Sequence, residues 1–395
     1  MIAVSEALQL VNDQAQSFPP EEIDLLQSVG RILAQPVIAD RDFPPFHRAT
    51  MDGIAVNSAA FQNGIRQFPI EDIQPAGHPQ KQLYNPDKCI EIMTGAMLPI
   101  GTDAVIRYED IEIAEQVAQV NLDAVTPYQN VHLQGTDEKA EQILVKPGVK
   151  ITPAIIAIMA SVGLSRVKVY CLPRIAVCAT GDELVPVTQQ PKPHQIRQSN
   201  SYMLLAALQE EGIKATGYHL PDEPMGMTTQ LSTMLQQYDV LLFSGAVSKG
   251  KFDYLPQVLQ QLGMQTVFHS IAQKPGKPLL FGKFKSGVLA FGFPGNPVST
   301  WVCFQLYFKA WLYSSLRVPL STIKAELGKS TTFKPALTYH VLVRLSSQEN
   351  KIIATPVDTS TSGDMVNLMQ AEGFISLPAE QIQFEVGQIF NVQLF

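Results

Sequence analysis

Few residues in this chain of 395 can cross-link it or hold a transition metal: four cysteines (Cys89, Cys171, Cys178 and Cys303) and seven histidines. No two cysteines form a C-x-x-C pair and the histidines are scattered, which excludes a disulfide framework or a zinc module as the basis of the fold. Charge is also sparse, at 16% of residues, and the net charge of −7 argues against a general nucleic-acid binder. The start of the chain lacks a basic segment followed by an apolar core, so no leader is expected and the cytoplasm is the expected location. Only Val298 to Leu316 approaches membrane-spanning length, and its Gln305, Lys309 and Ser, Thr and Tyr residues fit a core helix instead. There is no internal repeat.

Hydrophobic residues make up 46% of the sequence, and its length allows two to four domains, each with its own core. The charge is unevenly spread. Between Val240 and Ser299 six lysines (Lys249, Lys251, Lys274, Lys277, Lys283 and Lys285) face a single acid, Asp253. Val240 to Phe243 is an unbroken apolar run of the kind found in a parallel strand covered on both faces. The loop Gly245-Ala246-Val247-Ser248-Lys249-Gly250-Lys251 follows. Leu255, Val258, Leu259 and Leu262 then mark a helix that Gly263 ends. A loop between a strand and a helix, rich in amides and ammonium groups, suits an oxyanion at the carboxyl edge of an open sheet. It matches G-x-x-x-x-G-K, but Phe252 stands where a P-loop needs Ser or Thr, and Pro256 follows in the first helical turn. A solvated lysine face is the plainer alternative; against it, Lys274 and Lys277 are fixed between prolines and a glycine. Val288 to Phe293 is a second such strand, leading into Pro294-Gly295-Asn296-Pro297, where Asn296 can cap a helix that Pro297 begins.

Elsewhere, Ser5 can cap a helix with Ala7, Leu8, Val11 and Ala15 on one face, and a second helical segment is read from Glu21 to Leu33. From Asp42 to about Leu133 the texture is of short strands and turns, including Ile54 to Val56, Cys89 to Met93 and Ala104 to Tyr108. Pro153 to Val162 reads as a helix packing with the N-terminal one, which makes the first domain discontinuous. A βαβ series starts at Arg174. Its strand ends present Asp182 and Glu183, then Asp222 and Glu223, beside the lysine loop. Carboxylates beside lysines at such an edge suit Mg²⁺-dependent work on a phosphate-bearing ligand, although each acid alone could serve as a turn or cap residue. Beyond about Leu320, alternation at Tyr339, Val341 and Val343 indicates a small barrel or sandwich.

Seven motifs, in order, carry a resemblance: Phe43-Pro44-Pro45-Phe46 with Met51-Asp52-Gly53-Ile54-Ala55-Val56; Ile92-Met93-Thr94-Gly95-Ala96; Thr180-Gly181-Asp182-Glu183-Leu184; Ser244-Gly245-Ala246-Val247-Ser248-Lys249-Gly250; Lys274-Pro275-Gly276-Lys277-Pro278; and Phe293-Pro294-Gly295-Asn296-Pro297-Val298-Ser299, with Gly135-Thr136-Asp137 between the second and third. Spanning nearly the whole chain, they resemble the molybdopterin molybdenumtransferase family, which includes the E domain of gephyrin. The resemblance implies a multidomain fold of α/β plus β type. A discontinuous helical domain (1–45 and 141–172) would carry a β-rich insertion (46–140), followed by a three-layer α/β domain that binds molybdopterin (173–318) and a C-terminal barrel-like domain (319–395). It implies a homodimer that takes adenylylated molybdopterin and molybdate, cleaves the adenylate with Mg²⁺ and releases AMP and molybdenum cofactor. Further partners would be other cofactor-biosynthesis proteins and apo-molybdoenzymes.

By the same resemblance the catalytic positions are Asp52, Thr94, Asp137, Glu183, Asp222 and Asp253, with Glu183, Asp222 and Asp253 toward the metal. Gly245, Ser248, Lys249, Gly250, Lys274, Lys277, Pro294, Asn296 and Pro297 would bind substrate. The chain departs from the family pattern at His47-Arg48-Ala49-Thr50, usually Asp-Asn-Ser-Ala, and at Ala246, usually glycine. It departs again at Val341 and Asn367, where the family has an arginine and a serine that help hold molybdate. Arg344, three residues beyond Val341 on a strand, points to the other face. The related adenylyltransferase, and a paralogue that binds pterin or scaffolds other proteins, are the alternative readings.

Overall fold

The apolar run at Val240 forms the strand Val240–Ser244, buried along its whole length. In the computed structural model, which describes residues 1–245, 254–358, 361 and 363–395, this strand lies inside a six-stranded sheet. The order is Thr216–Leu220, Ile175–Thr180, Val240–Ser244, Leu289–Phe293, Leu280–Lys283 and Gln265–His269. The first four strands run parallel, and Leu280–Lys283 runs antiparallel to both its neighbours, Leu289–Phe293 and Gln265–His269. Val240 and Leu242 point into one apolar layer with the helices Asn200–Glu210 and Pro297–Cys303. Leu241 and Phe243 point into the other, with Pro224–Gln237 and Leu255–Gln261. Period-2 alternation in a strand apolar on both sides thus yields a three-layer α/β domain.

The apolar stretch at Val298 is a core helix, as its polar residues predict. It continues through a five-residue π segment to Leu316, with Phe304, Tyr307, Phe308, Trp311 and Leu312 fully buried. Among the described residues no helix is long and apolar enough to cross a membrane.

Three local readings are corrected. Glu21 to Leu33 is not a helix: Pro20–Asp24 is a strand paired antiparallel with Arg166–Tyr170, followed by the 3₁₀ turn Leu25–Ser28. Pro19-Pro20 hold the entry extended, and the waiting strand supplies the hydrogen bonds that a helix would have had to make internally. Ser5 is not the first cap; the helix is Val4–Asn12, with Ala3 before it. Nor does that helix pack with Pro153–Ser161. Ala7 and Val11 join the α/β core, Phe18 meets the edge of Trp311, and Trp311 Nε1 donates to the Gln14 carbonyl at 2.9 Å. Pro153–Ser161 instead packs with Leu33, Val37, Val167 and Val169.

The β-rich stretch is a six-stranded sheet in the order Ala104–Arg107, Gly53–Val56, Cys89–Ile92, Gln67–Gln74, Val117–Val120 and Ile111–Ala114. At the C-terminal end, Thr338–Gln348, Lys351–Pro356, Thr322–Leu327, Ile389–Leu394 and Gly373–Leu377 pair in sequence, and the last returns to the first, closing a five-stranded barrel. Tyr339, Val341, Val343 and Leu345 fill its interior, while Leu342 packs on the α/β core. Arg344 lies on the face away from Val341, exposed and bonded to Gln370.

Candidate active site

The chain leaves Ile175–Thr180 for the outer strand Thr216–Leu220 and then crosses back to Val240–Ser244 on the other side, so the crevice between these two inner strands is the switch point of the sheet. Their ends are in contact: Thr180 Oγ1 donates to the Ser244 carbonyl at 3.3 Å. Gly245 turns away with φ +98°, and a Cβ there would come within 2.9 Å of the Thr180 carbonyl. Only glycine satisfies both constraints.

A cavity of about 420 Å³ opens at this point, lined by Glu183, Gly245, Asn296 and Pro297 together with Thr180, Arg197, Asn200, Ser201 and, from the C-terminal region, Met365. Arg197 and Glu183 are the charged residues of its lining among the described residues. Asn200 Nδ2 donates to the Gly295 carbonyl at 2.7 Å, but Asn200 Oδ1 and Ser201 Oγ are buried with no hydrogen-bond partner among the described residues. Ser201 is 4% exposed. Buried polar atoms are nearly always satisfied, so two orphans on one cavity wall mark where a polar ligand completes the set. From the sequence, Asn200-Ser201 reads only as a helix start and Arg197 carries no signal. Their place in the site comes from the loop after Glu183 folding back over the strand ends.

The other predicted residues fall around the crevice or apart from it. Asp182 and Asp222 meet at the strand ends: the Asp182 amide donates to Asp222 Oδ2 at 3.2 Å, and the Asp222 amide to Asp182 Oδ1 at 3.4 Å. The next helix is capped by Glu223, whose carboxylate accepts from the Met225 and Gly226 amides, so Glu223 is occupied structurally and Asp222 is not the cap. Asn296 holds the cap position before Pro297, but its side chain makes no capping bond. Pro294 is buried, and its carbonyl accepts from Thr300 Oγ1 at 2.6 Å. Ser248, Lys249, Gly250 and Asp253 lie outside the described residues. Lys274 and Lys277 are exposed on a turn beside the barrel, with Lys274 Nζ 5.7 Å from the Phe333 ring centroid and 5.9 Å from that of Tyr339. Neither lines the cavity.

Asp52 and Thr94 meet on the inserted module, which also carries Asp137. The Thr94 amide donates to Asp52 Oδ1 at 2.6 Å, and this bond holds the Asp52 carboxyl below the usual carboxylate range. Asp137 accepts from His132 Nε2 at 2.9 Å, and Arg48 Nη2 bonds His132 Nδ1 at 3.3 Å. The departure at His47-Arg48 is therefore put to use: His47 Nδ1 accepts from the Gln134 amide at 3.0 Å, and Arg48 orients the histidine that holds Asp137.

Fold and crevice define a multidomain α/β protein with a polar-lined cavity at the switch point of its sheet. Residues 2–163 match the model of the MoeA N-terminal region (domains I and II), 176–313 that of a probable molybdopterin binding domain, and 324–395 that of the MoeA C-terminal region (domain IV). The chain is 38% identical over 394 residues, 99% of each chain, to a molybdopterin molybdenumtransferase of Synechocystis. It is 31% identical to one of Staphylococcus epidermidis, covering all of this chain and 95% of that one. The crystal structure of a molybdopterin biosynthesis MoeA protein from Pyrococcus horikoshii superposes with a TM-score of 0.82 at 29% identity, covering 100% of this chain and 99% of that chain. The chain belongs to the molybdopterin molybdenumtransferase family, enzymes of molybdenum cofactor biosynthesis.

Proposed function

We propose that the enzyme transfers molybdenum from molybdate to adenylylated molybdopterin, with Mg²⁺-dependent release of AMP. The observation that carries this is the cavity at the switch point, where Ser201 Oγ and Asn200 Oδ1 await a polar ligand beside Glu183 and Arg197. Mg²⁺ binds through one or two carboxylates, waters and substrate phosphates, and the all-oxygen donors meeting at Asp182 and Asp222 fit that need. Glu183, Asp222 and Asp253 would hold it, and when bound it would neutralise charge on the adenylate phosphates. Gly245, Asn296 and Pro297 present backbone to the ligand. Ser248, Lys249 and Gly250 are assigned to anion binding from their sequence, and Lys274 and Lys277 hold an anionic ligand as point charges. The domain division proposed is 1–45 with 141–172, 46–140, 173–318 and 319–395, in cytoplasmic protein.

The active form is a homodimer in which Asp52, Thr94 and Asp137 of one subunit complete the crevice of its partner. The helix Pro153–Ser161 supports this: it is apolar all round, and Leu26, Val29, Ile38 and Ile143 of the same module are exposed. The decisive assay incubates purified protein with adenylylated molybdopterin, Mg²⁺ and molybdate. AMP release that depends on molybdate supports the reading, and pterin binding without turnover rejects it. That second outcome belongs to a pterin-binding or scaffolding paralogue, which one observation favours. Val341 fills the barrel interior where the family pattern has arginine, and Arg344 on the opposite face cannot replace it.

A further inference from the structure

Beneath the turn that carries Lys274 and Lys277 lies a fully buried amide. Gln273 is 0% exposed, on a short strand paired with Thr338 and Tyr339 of the barrel. Its Nε2 donates to the carbonyls of Pro275 and Gly276, both at 3.1 Å. Those carbonyls can only accept, which fixes the amide orientation. Its Oε1 then takes two donors: the Tyr307 hydroxyl, from the long core helix, and His340 Nε2 at 3.3 Å, from the barrel. His340 Nδ1 lies 2.9 Å from Ser376 Oγ, and burial drives the His340 pKa down to about 3, so the ring is neutral, donating through Nε2 and accepting from the serine through Nδ1. The turn leaves no slack above the amide. Gly276 has φ +86°, and a Cβ there would stand 2.3 Å from Cys303 Sγ and 2.8 Å from Gln273 Nε2.

We propose that Gln273 is a positioning residue that clamps the Lys274-to-Lys277 turn from inside, so that core helix and barrel together set the direction of both ammonium groups toward an anionic ligand. The donor end holds two successive carbonyls of the lysine turn and also lies 3.5 Å from Cys303 Sγ, and the acceptor end is held by the core helix and the barrel, so a single side chain ties the turn to both elements. The inference rests on the reading that these lysines hold the anion.

The test titrates the full-length protein with molybdopterin and with molybdate in four forms: wild type, Gln273→Met, Lys274→Ala/Lys277→Ala, and the triple variant. Methionine keeps the length and fills the space without donating. Misdirecting the ammonium groups weakens anion binding by roughly 10- to 100-fold in Gln273→Met, and the same change adds nothing once both lysines are gone. Tyr307→Phe, which removes one of the two donors to Oε1 and leaves the ring frame, should show a smaller loss with the same dependence on the lysines, and it decides the matter if Gln273→Met does not fold. Equal affinity in Gln273→Met and wild type, or a loss that persists in the lysine-free background, overturns the inference. If the double lysine variant itself binds both ligands like wild type, the reading of the lysines falls instead, and the inference with it.

Discussion

The crevice of the α/β domain and the carboxylates of the inserted module are built in opposite ways. In the crevice, strands buried on both faces fix the backbone rigidly, and polar side chains such as Ser201 are buried with no partner among the described residues. On the insertion the carboxylates are exposed and already bonded: Asp52 to the Thr94 amide, Asp137 to His132. A rigid scaffold can carry unsatisfied groups because its sheet outweighs their cost, and they are the groups a ligand gains by meeting. Exposed turns cannot, so their acids are held in place by local hydrogen bonds.

The sharpest way to break this contrast is Gly245→Ala. A side chain at φ +98° with its Cβ 2.9 Å from the Thr180 carbonyl forces the two strand ends apart. Activity should fall by about 100-fold for a displacement near 1 Å, and the urea midpoint should drop with it. Wild-type AMP release would mean that the crevice tolerates spreading. Whether the two regions work across subunits is tested by mixing Asp52→Ala and Lys277→Ala chains. Each parent should be inactive, and the heterodimer should regain one intact cleft. No recovery after full subunit exchange would place both regions in one chain's site.

A milder change sharpens the energetic half of the comparison. Ser201→Ala removes a hydroxyl with no partner among the described residues, so the melting temperature should hold or rise. Losing one ligand hydrogen bond of about 1 kcal/mol weakens pterin binding roughly fivefold. Unchanged affinity together with a lower melting temperature would show that the hydroxyl serves the fold. The smallest effect is expected at Asp52. Its folded pKa lies below the ordinary 3.8, so its contribution to stability is present above that value and is lost as pH falls through the lower, folded pKa. The Thr94 amide resonance, followed by NMR, should therefore shift with a midpoint below 3.8. A midpoint at or above that value would mean the bond is not held in solution.

Much of the α/β domain was legible because its signals are local. Apolar runs at Ile175, Val240 and Leu289 could be covered only in a parallel sheet, and Gly245, Gly263 and Pro297 punctuate it where backbone sterics require. The seven motifs named the family for the same reason: the chemistry of each is written in adjacent residues. Where partners lie far apart in sequence, only the tertiary structure decided. The segment at Glu21 became a strand because Arg166–Tyr170, more than a hundred residues on, offered an edge. The N-terminal helix went to Trp311 rather than to its neighbour in the first domain. Ser201 and Arg197 entered the cavity because a loop folded over it, and Gln273 acquired its role from Tyr307 and His340. A sequence fixes which backbone angles are cheap and which faces are apolar, but the burial and unsatisfied hydrogen bonds that turn a side chain into part of a site exist only once distant elements have packed around it.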